Sequence, residues 1–263
     1  MRRFSAAYLA HARRGMWDSR ESLADLDLPG RERILDVGCG SGEFTRVLRE
    51  ESDAAIVGVD ADRSLLASAR TEDVTRALGD ATRLPFRDGA FDLVVCLALL
   101  VNLPDPGAVI AEFARVSSDL VATVEPDNAG VAIESTVDGE ARLARRAREA
   151  YIAGLSTDVT LGNASDLFER ADLSDVRVRE HRHRRTVEPP YSEAAIEAAA
   201  RKARGERIAE KREALLAGDF TEAEYDDLRE AWREMGREAI EAMQAGTYER
   251  AETTPYFVTV GRV

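Results

Sequence analysis

The chain has 263 residues, enough for one or two domains with a sizeable core. Asp and Glu outnumber Lys and Arg by 49 to 36, a formal net charge of −13, and the only lysines are Lys202 and Lys211. Such a surface repels phosphates and argues against a nucleic-acid partner. The only cysteines, Cys39 and Cys96, sit in apolar surroundings and argue against a disulfide framework.

Acid excess with almost no lysine suits a protein held in high salt, although GC-rich coding also favours Arg over Lys; a halophilic host is the expectation. No Cys/His spacing resembles a zinc site, so no metal is expected. The N-terminus lacks an apolar run of signal-peptide length, and nothing later approaches roughly 18 apolar residues. A cytoplasmic protein without membrane attachment, monomeric or homodimeric, is expected.

The first 28 residues read as an N-terminal helical segment containing Tyr8 and Trp17. Residues 33–125 then alternate between strand and helix signals. "RILDVG", "AAIVGVD", "VTRALGD", "FDLVVCLALL" and "DLVATVEP" read as strands, with helices in "GEFTRVLREES", "RSLLASAR" and "PGAVIAEFARV". This rhythm predicts a parallel sheet covered by helices on both faces. "EARLARRAREAYIAGL" and "NASDLFERADL" read as helices, and "DVRVREHRHRRTV" alternates like a strand.

Residues 192–252 break the rhythm with two or three Ala/Glu/Arg-rich helices, before "PYFVTVGRV" reads as a last strand. Tyr225, Leu228, Trp232 and Met235 recur at helical spacing. The expected organisation is a core of residues 29–191 and 253–263 with a helical insertion at 192–252. That insertion is expected to cap an acceptor pocket, with a dimerisation arm or a bundle packed on the far side of the sheet as the alternatives.

In "ILDVGCGSGEFT", three alternating glycines, Gly38, Gly40 and Gly42, follow a strand ending near Asp36. A strand, a glycine turn and a helix make a ligand cradle lined by backbone N–H groups. The dinucleotide pattern G-x-G-x-x-G fails in both registers, because Glu43 and Thr45 stand where the third glycine is needed. The P-loop pattern fails as well, since no Gly-Lys-Ser/Thr follows.

The motif present, D-x-G-x-G-x-G, resembles that of the class I S-adenosylmethionine-dependent methyltransferases, especially their small-molecule branch. The resemblance covers residues 33 to about 126 and extends to "VGVDAD", "GDATRLPF", "DGAFDLVVC" and "NLPDPGAVIAEFARV" in order. It implies a Rossmann-like α/β fold with a seven-stranded, mainly parallel sheet whose last strand inserts antiparallel. It implies S-adenosylmethionine as cofactor, methyl transfer to a small organic acceptor, and a site at Asp36, Gly38, Gly40, Gly42, Asp60, Ala61, Asp80, Ala81 and Cys96. Asp60 would accept from the ribose hydroxyls, Asp80 from the adenine amino group, and Asp36 would attract the methionine ammonium. Ala61 and Ala81 would flank the adenine.

Methyl transfer needs alignment more than a catalytic residue, and a base only if the nucleophile arrives protonated. Glu125 and Asp127, at the end of the fifth strand, are the candidates for that base, with capping of the fold as the alternative for either. Asn102 stands near a position where the family often has histidine. His181 and His183 are candidates for proton transfer or for guarding an edge strand. RNA or protein methylation and a non-catalytic cofactor-binding module are the other readings; the Arg cluster at 177–185 is the only candidate RNA face.

If the acid excess is halophilic, self-repulsion should weaken folding as salt is withdrawn. The melting temperature should climb from low to molar KCl; a flat profile would refute a halophilic origin.

Overall fold

The computed structural model describes residues 13, 15–68, 74–218 and 220–263. They divide into two compact units. The first comprises the described part of Met1–Asp127 together with Thr160–His181 and Pro255–Val263; the second comprises Asn128–Val159 and Arg182–Thr254.

The first unit is built on five parallel strands: β1 (Arg33–Val37), β2 (Ala55–Asp60), β3 (Thr75–Leu78), β4 (Phe91–Leu97) and β5 (Ser117–Pro126). Their hydrogen-bonded order is β3-β2-β1-β4-β5. The strands are apolar on both faces because helices cover both. Ile34, Leu93, Val95, Leu97 and Val124 pack on one side with Phe44, Val47 and Leu48 of α1 (Glu43–Glu51). Leu35, Val37, Val94, Cys96 and Val121 pack on the other with Val109, Ile110 and Phe113 of α3 (Pro106–Val116) and with Phe168 of α5 (Ser165–Arg170). The helix α2 (Arg63–Ser68) follows β2 and has no buried side chain. Chain chemistry sets the ends of α3: Asp105 accepts from Ala108 N at its start, and Pro106 occupies the first helical position.

Two long strands, β7 (Ser174–Val187) and β8 (Arg250–Arg262), run from one unit into the other and pair with each other. Within the first unit β8 lies antiparallel to β5, with Glu125 opposite Phe257. Within the second, β8 pairs antiparallel with β6 (Ala132–Ser135), Ala132 opposite Thr253. The sheet therefore has eight strands rather than seven. β6 is four residues long, alternates only between half-buried and exposed, and follows a Gly-containing turn. Such a segment gives no apolar periodicity to read.

The second unit is helical apart from β6 and its shares of β7 and β8. It contains α4 (Glu140–Ala153), α6 (Glu193–Arg204), α7 (Glu206–Ala209), α8 (Arg212–Ala217) and α9 (Glu222–Gln244). A capping box between Thr221 and Glu224 starts α9. This unit extends beyond the insertion expected at 192–252, taking in β6 and α4. The Tyr225–Leu228–Trp232–Met235 face, expected to line an acceptor pocket, is instead buried in the unit's own core with Ala144, Ala147, Ala199, Ile208 and Leu215. Gly236 lets α9 approach α6 closely, since a Cβ there would lie 2.3 Å from Ala203 N.

A buried ionic knot ties that core together. Lys202 of α6 donates to Glu140 of α4 and, at 3.0 Å, to Tyr248 Oη. Arg250 donates to the same Glu140 oxygen at 3.1 Å and to Glu252 at 2.6 Å. Burial pushes the Glu140 carboxyl up, but Lys202 and Arg250 outweigh it and hold it below its ordinary value. Lys202→Met should therefore destabilise the second unit by about 3 kcal/mol, because it leaves a buried carboxylate short of its cation. Denaturant titration followed by tryptophan fluorescence checks this. The double variant Glu140→Gln/Lys202→Met should recover most of the loss, and an unshifted single variant would contradict the assignment.

Candidate active site

β1 sits where the chain's crossovers change direction: β2 and β3 extend to one side of it, β4 and β5 to the other. Loops leaving the carboxyl ends of β1 and β4 diverge there and leave a crevice. The residues at those ends are Asp36 and the glycine loop after β1, Asp60 of β2, Leu78–Asp80 after β3, Ala98–Asn102 after β4, and Glu125 of β5.

The glycine loop is tied to the end of β2. Gly38 N and Cys39 N both donate to Val59 O, at 2.7 and 3.0 Å. Gly40 N donates to Asp60 Oδ2 at 2.8 Å, and Asp62 N donates to Asp60 Oδ1 at 2.7 Å. Asp60 therefore shapes two turns, while each of its oxygens keeps a further lone pair for a ligand hydroxyl. Gly38 has φ +74° and a built Cβ would lie 2.9 Å from Leu99 Cδ1. The left-handed backbone favours glycine there, and Leu99 leaves little room for a side chain. Gly40 and Gly42 also have positive φ, +56° and +84°, and Gly42 precedes the first turn of α1.

Asp36 is 1% exposed. Its Oδ2 accepts from Thr45 Oγ1 at 2.5 Å, and its Oδ1 has no hydrogen-bond partner among the described residues. Burial pushes its carboxyl up to about 6, with Thr45 and Arg13 pulling the other way. Arg13 was not singled out by the sequence, yet its side chain is largely buried here, with Nη1 3.8 Å from Glu43 Oε2. Burial lowers its pKa, against the charges of Glu43, Asp36, Glu125 and Asp60. Glu43 Oε2 is also a buried oxygen without a hydrogen bond among the described residues. A buried carboxylate oxygen without a hydrogen bond, and a buried guanidinium held only by a long ion pair, could complement a zwitterion: an ammonium for Asp36 and a carboxylate for Arg13.

The remaining candidates fall into place unevenly. Glu125 is fully buried, accepts from backbone N–H groups of the turn after β4, and is pushed up by burial to about 7. Asp127 is half-buried past β5, its backbone N–H bonded to Pro255 O at 3.0 Å. Asp80 is exposed and accepts from Thr82 N and Oγ1 at 2.9 and 2.8 Å through one oxygen. Ala61 is exposed and Ala81 half-buried, so both leave room beside them. Cys96, expected to touch the cofactor, has a fully buried thiol that lies 3.5 Å from Glu125 Oε1, and burial raises its pKa well above the ordinary range. Its strand register points that side chain into the core rather than the crevice. Trp17 stacks on Phe44 at 5.0 Å, which is core packing; Tyr8 lies outside the described residues. His181 stacks on Tyr256 at 5.4 Å. Among the described residues no group of His, Cys, Asp and Glu could hold a metal ion, and no helix is long and apolar enough to cross a membrane.

Residues 35–119 match the methyltransferase domain family. Over 98 residues the chain is 39% identical to demethylmenaquinone methyltransferase of Mycobacterium sp. (strain KMS), covering 37% of this chain and 42% of that protein. Over 99 residues it is 34% identical to methyltransferase GfsG of Streptomyces halstedii, covering 35% and 36%. The match thus spans less than half the length of either relative. Among solved structures, a Bacillus halodurans C-125 protein superposes with TM-score 0.53 at 14% identity, over 93% of this chain and 99% of that one. The YcgJ protein of Bacillus subtilis does so with TM-score 0.51 at 16% identity, over 92% and 98%. These two likenesses show the fold. The glycine loop, Asp36, Asp60 and Asp80 all lie within the stretch, residues 35–119, that matches the methyltransferase domain family.

Proposed function

We propose that the protein transfers a methyl group from S-adenosylmethionine to a small organic acceptor. The observation that carries this reading is Asp36 Oδ1, buried without a hydrogen bond among the described residues, together with Arg13, whose ion pair with Glu43 Oε2 is long at 3.8 Å. They complement the ammonium and carboxylate of the cofactor's methionine end. Asp60 would take the ribose hydroxyls with its free lone pairs, and Asp80 the adenine amino group with its exposed carboxylate. When bound, the cofactor supplies an electrophilic methyl on a sulfonium.

The chain's part in such a reaction is to hold, orient and exclude water. Glu125 is unsuited to a base's role, because its oxygens already accept backbone hydrogen bonds. The reading therefore favours an acceptor that arrives with its lone pair free, or Asp127 as base. The named relatives make a quinone-type or other small organic acceptor the natural class. The Arg-rich β7 offers little to RNA: Arg179 pairs with Asp25 at 2.6 Å, Arg184 with Glu134 at 2.8 Å, and Arg185 with Glu252. A halophilic cytoplasm fits the acid excess and the scarcity of lysine.

Calorimetric titration with S-adenosylhomocysteine tests the reading. The wild-type protein should bind it, and Arg13→Ala should weaken binding about 10–100-fold, the loss of a charge-assisted hydrogen bond. Affinity for 5′-methylthioadenosine, which lacks the amino-acid end, should be unchanged in the same variant. Equal losses for both ligands would remove Arg13 from the carboxylate, and no binding by wild type would sink the reading.

The raised pKa of Asp36 gives a second test. The folded protein keeps that proton up to about pH 6, whereas the unfolded chain loses it near the ordinary value of 3.8. Between those values the fold binds more protons, so rising pH costs stability, by about 3 kcal/mol once both states are ionised. Asp36→Asn removes this cost while keeping an acceptor for Thr45. The variant should melt above wild type at pH 8 and level with it near pH 4. Parallel pH profiles would show that Asp36 ionises in the fold as freely as in the unfolded chain.

A further inference from the structure

The turn after β4 depends on one buried side chain. Ala98 leaves the strand with φ +50°, a left-handed conformation that a residue with a Cβ rarely adopts. A single 3-10 turn, Leu100–Asn102, follows directly. The N–H groups that open such a turn have no partner within it. Glu125 supplies the acceptor for all of them: Oε1 takes Leu99 N and Leu100 N, each at 2.9 Å, and Oε2 takes Val101 N at 3.4 Å. Backbone bonds within the turn, from Asn102 N to Leu99 O and from Leu103 N to Leu100 O, are joined by two others. Asn102 Nδ2 donates to Ala98 O at 2.7 Å, and Ala98 N donates to Val124 O, one residue before Glu125, at 2.8 Å.

The same turn reaches the glycine loop. Leu99 is the first residue Glu125 holds, and its side chain lies against Gly38 so closely that a Cβ would stand 2.9 Å from its Cδ1 and 3.3 Å from its Cδ2. Gly38 N in turn is bonded to Val59 O, beside Asp60. A path of direct contacts therefore joins the end of β5 to the ends of β4, β1 and β2.

We propose that Glu125 is the positioning residue of the methyl-transfer site: its carboxylate fixes the 98–102 turn, and through Leu99 that turn fixes the glycine loop at Gly38. The proposal rests on the methyltransferase reading for its purpose, but its mechanical content stands on the contacts alone. Glu125 touches no reacting group; it keeps the wall formed by the turn in register with the loop that cradles the cofactor. A carboxylate suits this role because two oxygens with four lone-pair sites can accept three N–H groups converging from one turn. A glutamine would accept only through its single oxygen and would present N–H to N–H at the other.

That difference makes the test. Amide hydrogen exchange would be followed residue by residue in wild type, Glu125→Leu and Glu125→Gln, with S-adenosylhomocysteine affinity measured in each. In Glu125→Leu, exchange at Leu99, Leu100 and Val101 should accelerate at least about 10-fold, the loss of a hydrogen bond to a charged group. Gly38 and Cys39 should accelerate with them, amides inside α3 should not, and ligand affinity should fall about 10-fold or more. In Glu125→Gln, Val101 alone should accelerate, and affinity should stay within about threefold of wild type. Unchanged exchange at 99–101 would overturn the proposal. So would acceleration spread evenly through the first unit, or acceleration at 99–101 without any at Gly38 and Cys39. Should Glu125→Leu fail to fold, the Val101-specific signature of Glu125→Gln decides the matter. If wild type binds no S-adenosylhomocysteine, the proposed function fails, and the exchange pattern still decides the role of Glu125.

Discussion

A parallel sheet covered on both faces has nowhere to put a charge except at the ends of its strands. Most inward side chains of β1, β2 and β5 are apolar, with Ser117 and Thr123 of β5 the buried polar exceptions, and near the strand ends the acids begin: Asp36, Asp60 and Glu125. Each is still buried, so each must find donors. Asp60 takes Gly40 N and Asp62 N, Glu125 takes Leu99 to Val101, and Asp36 takes Thr45 with one oxygen only. The loops around the crevice are shaped by this requirement. A glycine loop that must bring an N–H to Asp60 and a turn that must bring N–H groups to Glu125 have little freedom left.

Asp36 is the exception. Asp36 Oδ1 and Glu43 Oε2 are left without hydrogen bonds in a region that also buries Arg13. Unsatisfied buried charge destabilises a fold, and a site that retains it is a candidate for binding a complementary group. The proposed cofactor brings both signs of charge in one small amino-acid end. The buried ionic knot of the second unit offers a contrast. Glu140, Lys202, Tyr248, Arg250 and Glu252 satisfy one another, and the result is a packed core rather than a site.

Local patterns made much of this legible in the sequence. The alternating glycines behind "RILDV" and the acids ending successive strands follow from period and position, and α3 spans the residues its periodicity marks. Contacts between distant segments were not legible. Nothing in the sequence distinguishes Arg13 from the other arginines, because its partners lie from 23 to 112 positions away. Glu125 was visible as an acid at a strand end, but a base and a backbone clamp look alike until the turn it meets is seen. The resemblance gave Cys96 to the cofactor, whereas the fold buries its thiol in the core. β6 escaped because four half-exposed residues carry no period. The spacing of Tyr225 and Trp232 marked one apolar helical face, but amphipathicity does not say against what it packs.

The central claim is that the crevice at the ends of β1 and β2 is a zwitterion and nucleoside site for S-adenosylmethionine. A crystal structure of the protein with S-adenosylhomocysteine tests it most directly. The account predicts the ribose hydroxyls on Asp60, the ammonium on the Asp36 side and the carboxylate within hydrogen-bond reach of Arg13. A ligand seated elsewhere, or one whose carboxylate points away while Arg13 stays on Glu43, would contradict it.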